Sequence, residues 1–115
     1  MKDSVVHEKA FKFALEIIRL YKQLVEQHEY VLSKQLLRSS TSIGANLEEA
    51  RAAQSRNDFF TKITIASKEA RESRYWLLLL QHSELAKVDV RPHLAQIDEL
   101  IRLLTSIAKT VGESR

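Results

Sequence analysis

Residues 56–83 read RNDFFTKITIASKEARESRYWLLLLQHS, and this stretch decides the fold. Within it Phe59, Ile63, Ala66, Ala70, Ser73, Leu77 and Leu80 recur at alternating steps of four and three. That spacing stacks side chains on one face of an α-helix, and a strand, with its period of two, does not produce it. A start signal precedes the run: Ser55 followed three residues later by Asp58 resembles a capping box, with Asp in the place of Glu. So regular an apolar seam must be buried against other helices.

The same spacing extends in both directions. A second helix is predicted over about residues 31–53, after the polar connection Gln27, His28, Glu29, with a core register Leu36, Ser40, Ile43, Leu47, Ala50. That register runs through the poor helix formers Ser39, Ser40, Thr41, Ser42 and Gly44. Gly44 costs ~1 kcal/mol relative to Ala in a helix interior, and close approach of a neighbouring helix over these small side chains is the expected compensation. A loop splitting the helix is the alternative. A first helix is predicted over about residues 4–27, capped by Asp3 and Ser4. Its polar residues Lys12, Glu16, Arg19 and Gln23 cluster, but its apolar residues spread around about half of the circumference, wider than the ~100° stripe one core requires. The surplus predicts an interface. A looser connection follows Ser83, Pro92 suits a first helical turn, and a fourth helix over about residues 92–112 carries Leu94, Ile97, Ile101, Leu104, Ala108 and Val111, with Gly112 as its stop. The expected architecture is all-α: an antiparallel up-down-up-down four-helix bundle formed by residues 1–115 as one domain. Phe11, Phe13, Tyr21, Phe60, Trp76 and Leu79 cannot all fit one small core, so some are expected between subunits of a homo-oligomer.

Composition narrows the chemistry. Two glycines and one proline in 115 residues are too few for a β-sandwich or a glycine-rich nucleotide loop. Without cysteine there is no disulfide, thiolate nucleophile or Cys-based zinc site. Residues 1–12 lack the apolar run of a signal peptide, and the apolar run Trp76–Leu80 is far short of the ~20 residues of a membrane span. A cytoplasmic protein without a membrane partner is expected.

None of the four histidines, His7, His28, His82 and His93, has a Glu three positions before it, which argues against a ferritin-like di-iron site. Nucleophile-elbow, P-loop and zinc-protease motifs are missing. His28 and His82 read as solvated helix caps rather than as acid-base residues. No catalytic residue, metal ligand or cofactor is assigned, and a non-enzyme is expected.

Two polar patterns stand out. Arg38, Ser42, Asn46 and Glu49 form a stripe on the second helix, either a solvated flank or a buried network. Folding helices two and three as a hairpin about residue ~54 brings Arg38 opposite about position 70, so pairing with Glu69 or Glu72 is predicted, with a role in register. The second pattern is charge. Between Ala50 and Tyr75 six basic residues, Arg51, Arg56, Lys62, Lys68, Arg71 and Arg74, face three acidic ones, so this segment accounts for the whole net charge of +3. Lys68 and Arg71 share a face, with Tyr75 close by as a stacking platform. Such a strip holds phosphates without reading sequence, or else simply solubilises. Arg51, Arg56, Lys68, Arg71 and Arg74 are the nucleic-acid-binding candidates.

A set of residues carries a further indication: Glu29-Tyr30, Leu32-Ser33-x-Gln35-Leu36, Arg38 to Ile43, Ala45-Asn46, Glu49-Ala50, Ser55-x-x-Asp58-Phe59, and Ile65-Ala66-x-Lys68-Glu69-Ala70-Arg71-Glu72-x-x-Tyr75-Trp76. Together they resemble the four-helix bundle proteins encoded by intervening sequences of bacterial 23S rRNA genes, over about residues 10–110. That family is similar to the accessory variability determinant of diversity-generating retroelements. The resemblance implies a pentameric ring with a positively charged surface for RNA or DNA and for a reverse transcriptase. The common family form has Pro where this chain has Gly44. The function expected from these readings is non-specific RNA or DNA binding by a non-enzymatic oligomer. The alternative is a protein-interaction scaffold, such as a reverse-transcriptase accessory subunit, without direct nucleic-acid contact.

Overall fold

The computed structural model describes residues 2–114, and the side chains of residues 4–113. Four helices, α1 (Lys2–Glu26), α2 (Leu32–Arg51), α3 (Arg56–Ser83) and α4 (Arg91–Ser114), form a rod of 46 × 20 × 20 Å. Each helix packs on two neighbours, α1 and α3 each lying between α2 and α4, so that four apolar faces meet on one axis. Phe13, Ile17, Leu20 and Leu24 of α1, Leu36, Ile43 and Leu47 of α2, Ile63, Leu77 and Leu80 of α3, and Ile97, Leu100 and Leu104 of α4 fill that axis. Each such side chain contributes roughly 1.5–3 kcal/mol on leaving water.

Local chemistry sets the ends. At α3, Ser55 Oγ accepts the Asp58 amide at 3.0 Å and the Asp58 carboxylate accepts the Gln54 amide at 3.2 Å, a reciprocal cap. At α2 the Glu29 carboxylate accepts the amides of Val31 (3.1 Å), Leu32 (2.9 Å) and Ser33 (2.7 Å), while the Ser33 hydroxyl donates to the Glu29 carbonyl at 2.8 Å. Three of the four amides that a helix start leaves unpaired are thereby met by one side chain of favourable charge. His28 and Glu84 take left-handed backbone (φ 64° and 57°) just beyond α1 and α3, where a helix is turned off. Between the two loops, Gln27 Nε2 donates to the Lys87 carbonyl (2.9 Å) and the Lys87 amide donates to Gln27 Oε1 (2.6 Å).

Four local expectations fail. The helix α1 already runs from Lys2, so Ser4 lies inside it instead of capping it, and the side chain of Asp3 lies outside the described residues. α2 is unbroken, but a Cβ added at Gly44 would meet nothing within 4 Å, so no neighbouring backbone packs there and the glycine is uncompensated within the chain. In α4 the buried positions are Ile97, Leu100, Leu104 and Ile107, while Leu94, Ile101, Ala108 and Val111 only flank the core. α4 faces both α1 and α3, and the midline between them, not the edge toward one, is driest. α4 also continues through Gly112 to Ser114, with the Phe60 ring 3.4 Å from where a Gly112 Cβ would be.

Candidate nucleic-acid interface

Lys68 and Arg71 stand one turn apart on the outer face of α3, opposite the buried row Ile63, Ala66, Ala70, Ser73, Leu77, Leu80. Both are exposed, and neither has an ion-pair partner among the described residues. Tyr75, four residues beyond Arg71, is 56% exposed and lies edge-on to Trp76, with ring centroids 5.3 Å apart. Two unpaired cations and an open aromatic ring thus share one strip.

The other candidates lie elsewhere. Arg74 donates to Asp98 on α4 at 2.7 Å, which neutralises it at the α3–α4 junction. Arg51 pairs with Glu48 at 3.4 Å in the last turn of α2. Arg56 opens α3 and borders a shallow apolar groove with Phe59 and Val111. Lys62, the remaining cation of the segment, donates to Glu49 at 2.8 Å, and its pKa is raised by that bond. Two further cations outside the charge-rich segment, Arg102 and Lys109 of α4, are exposed and without ion-pair partners among the described residues. Arg102 follows Asp98 by one turn and Arg71 precedes Arg74 by one turn, so the Arg74–Asp98 pair lies beside both. The seven-residue spacing of Arg102 and Lys109 was a readable signal, but a count confined to one segment misses it.

Behind the strip, the polar stripe of α2 resolves into separate parts. Arg38 donates to Glu69 at 3.1 Å and to Glu72, and Trp76 Nε1 donates to the same Glu72 oxygen as Arg38, at 2.9 Å. The Trp76 bond, with that of Arg38, holds the Glu72 carboxyl below its ordinary value, and Glu72 in turn raises Arg38. Among the described residues Asn46 Nδ2 donates to the Ser42 hydroxyl at 3.1 Å and to the Ser42 carbonyl at 2.9 Å, both within α2. Glu49 serves Lys62. Beneath Arg38 lies a cluster that the spacing did not reveal: Ser39 Oγ and Ser73 Oγ are 2.8 Å apart, Ser40 Oγ donates to Ser73 Oγ at 3.2 Å, and all three serines are fully buried. Ser73 donates onward to the Glu69 carbonyl at 2.9 Å, and among the described residues nothing basic is bonded to these hydroxyls that could activate one. Their work is to join helices.

Among the described residues no cluster of His, Asp or Glu is arranged to hold a metal ion, and no helix is long and apolar enough to cross a membrane. The model of the 23S rRNA-intervening sequence protein family matches residues 2–106. Among solved structures the chain is similar to a protein of unknown function from the S23 ribosomal protein family of Bacteroides thetaiotaomicron VPI-5482, with 51% identity and a TM-score of 0.90 over 95% of this chain and 99% of that one. No curated protein matches. The residues that carry the polar junction and its caps therefore sit in a known framework, and the chain belongs to the 23S rRNA-intervening sequence protein family.

Proposed function

We propose that this protein is a non-enzymatic, cytoplasmic homo-oligomer of up-down-up-down antiparallel bundles that holds RNA or DNA by its phosphates, without reading bases. The antiparallel arrangement is supported by the pairs Arg38–Glu69 and Glu49–Lys62, whose numbers rise on α2 as they fall on α3. The observation that carries the binding reading is Lys68, Arg71 and Tyr75 with Arg102 and Lys109: four unpaired cations on the neighbouring helices α3 and α4, whereas Lys9, Lys12, Arg19, Arg38, Arg51, Lys62, Arg74 and Arg91 are each paired with a carboxylate and the unpaired Lys22, Lys34 and Lys87 are spread over α1, α2 and the loop before α4. A cation already paired releases little on meeting a phosphate, so the free ones set the affinity. A ring, pentameric as the family resemblance implies, would repeat this strip and add its fields.

Fluorescence anisotropy with a structured RNA at low and moderate salt tests the reading. Affinity should fall steeply with salt, and removing Lys68 and Arg71 together should reduce the log–log slope by about 1.5–2. Absence of binding at low salt would reject it. The exposed apolar face of α1 favours the second reading, a protein-interaction scaffold such as a reverse-transcriptase accessory subunit. That reading would be left standing by assembly without RNA binding.

A further inference from the structure

Between Thr61 and Gln81 the exposed positions of α3 are Lys68, Arg71 and Tyr75, spaced three and four residues apart on one face, and every other residue in that span is buried or half-buried. Along the helix the steps are about 4.5 Å and 6 Å, comparable with the reach of one nucleotide unit. Tyr75 differs from the other aromatic residues of α3, Phe59, Phe60 and Trp76, which are half-buried. Its hydroxyl has no hydrogen-bond partner among the described residues, whereas that of the equally exposed Tyr30 is bonded to His28 Nδ1 at 2.9 Å. The Tyr75 ring is braced all the same. Trp76 meets it in a T-shaped contact, and the indole is itself pinned by Nε1 donating to the Glu72 carboxylate, which Arg38 of α2 also binds. Such a contact covers one side of the phenol ring at most, so a face stays open to solvent. Glu69 and Glu72, the acidic residues of this stretch, are both drawn to Arg38. The exposed row is therefore two cations and a flat ring, supported from behind and open in front.

We infer that Tyr75 is a stacking site for an unpaired nucleobase, with Arg71 and Lys68 on the phosphates beside it, so that this surface takes single-stranded or looped-out RNA and DNA in preference to duplex. The inference rests on the phosphate-holding reading above and adds to it the kind of nucleic acid that is held. Charge alone would favour the duplex, which carries more phosphates per unit length. In a duplex, however, both faces of each base are covered by its neighbours, and Tyr75 would meet only sugar and phosphate, where an apolar ring gains nothing. A single strand offers base faces, and stacking accepts any base because every base has a π-face. The site thereby selects strandedness without selecting sequence. Trp76 and Glu72 are positioning residues in this arrangement: they touch no nucleotide, and they fix where the Tyr75 ring stands.

Fluorescence anisotropy on the full chain at low salt tests this with labelled probes of equal length: a single-stranded RNA, the same sequence as DNA, the matching duplex, and a deoxyribose-phosphate strand without bases. The wild type should bind both single strands about tenfold more tightly than the duplex or the base-free strand. Tyr75→Ala should erase that difference by weakening the single strands alone, and Tyr75→Phe should keep it. Replacing Lys68 and Arg71 together by Ala should weaken every probe. Trp76→Phe, which lacks the indole N–H, should lower the ratio of single-strand to duplex affinity while duplex binding stays unchanged, a pattern that general loss of structure does not give. Circular dichroism checks that each variant keeps its helices. RNA and DNA strands should differ little, because the ring meets the base; a preference confined to RNA would place recognition on the 2′-hydroxyl and overturn the inference. Duplex or base-free strand bound as tightly as the single strands, or a preference that survives Tyr75→Ala, would overturn it too and leave phosphate holding intact. No binding of any probe would overturn that reading and this inference with it.

Discussion

Between α2 and α3, three buried hydroxyls and the guanidinium of Arg38 tie the helices together, whereas between α1 and α4 the exposed pair Lys9–Glu99, at 3.1 Å, stands near a groove of about 550 Å³. That groove is lined by Lys12, Leu15, Glu16, Arg19, Pro92, His93 and Gln96, and at its edge the Nδ1 atom of His93 is buried without a hydrogen-bond partner among the described residues. Both seams close the same core. The first joins helices linked by a short turn, where ordering costs little entropy and polar bonds select one register. The second closes the bundle across nearly the whole chain and is held by burial, which tolerates an imperfect fit. Specificity is concentrated in one seam, and slack in the other.

The strongest way to break this contrast is Ser73→Ala. It leaves the buried Ser39 and Ser40 hydroxyls without their shared partner and should cost about 1–3 kcal/mol, measured by urea unfolding. A loss near zero would mean that the hydroxyl cluster does not set the register. Next comes the pair Arg38→Ala and Glu72→Ala, singly and combined. With Arg38 51% exposed, solvent screens much of the attraction, and a coupling of about 0.5–1 kcal/mol is expected. Additive effects would remove the pair from the account. Glu72 also predicts an acid limb: its carboxyl titrates lower when folded, so its contribution is complete above about pH 4.5 and is lost as pH falls further. Glu72→Gln should flatten that limb.

The opposite seam has its own pH window. Burial lowers the His93 pKa below its ordinary 6.5 despite the nearby Glu16 and Asp89, so between the folded value and 6.5 the unfolded chain binds more protons and stability falls with acid. In His93→Gln the melting temperature should change less between pH 7 and pH 5 than in the wild type. An unchanged slope would show that the ring is already solvated through the groove. The smallest effect is expected from Lys9→Ala, under about 0.5 kcal/mol, and a larger loss would mean that the α1–α4 seam depends on its ion pair after all.

How much of this was readable varied with the kind of interaction. The α3 boundaries and its buried row from Ile63 to Leu80 followed from period and cap alone, because a narrow seam permits only one face, while Phe59, expected at the head of that row, is only half-buried. The Arg38 junction followed from hairpin arithmetic, since a short turn fixes which residues oppose. α4 was read correctly at Ile97 and Leu104 but one step off at Ile101 and Ala108, where Leu100 and Ile107 are buried instead, because its apolar stripe is broad enough to serve two neighbours and only packing decides which positions are driest. Of the exposed cations, Lys68 and Arg71 share a local spacing with Tyr75, but Arg102 and Lys109 lie on α4, outside the segment where the charge was counted. That Arg51 and Arg74 are neutralised by Glu48 and Asp98 depends on side-chain reach, to which composition is blind.

The reciprocal amide clasp of Gln27 on Lys87 has a consequence of another kind. A side chain that gives and takes a bond at one backbone residue imitates the missing rung of a sheet, and it couples two loops separated by sixty positions of sequence. The Lys87 amide hydrogen can then exchange with deuterium only when those loops part. It is a built-in clock for the fraying of that end of the rod, and Gln27→Ala should make it run fast.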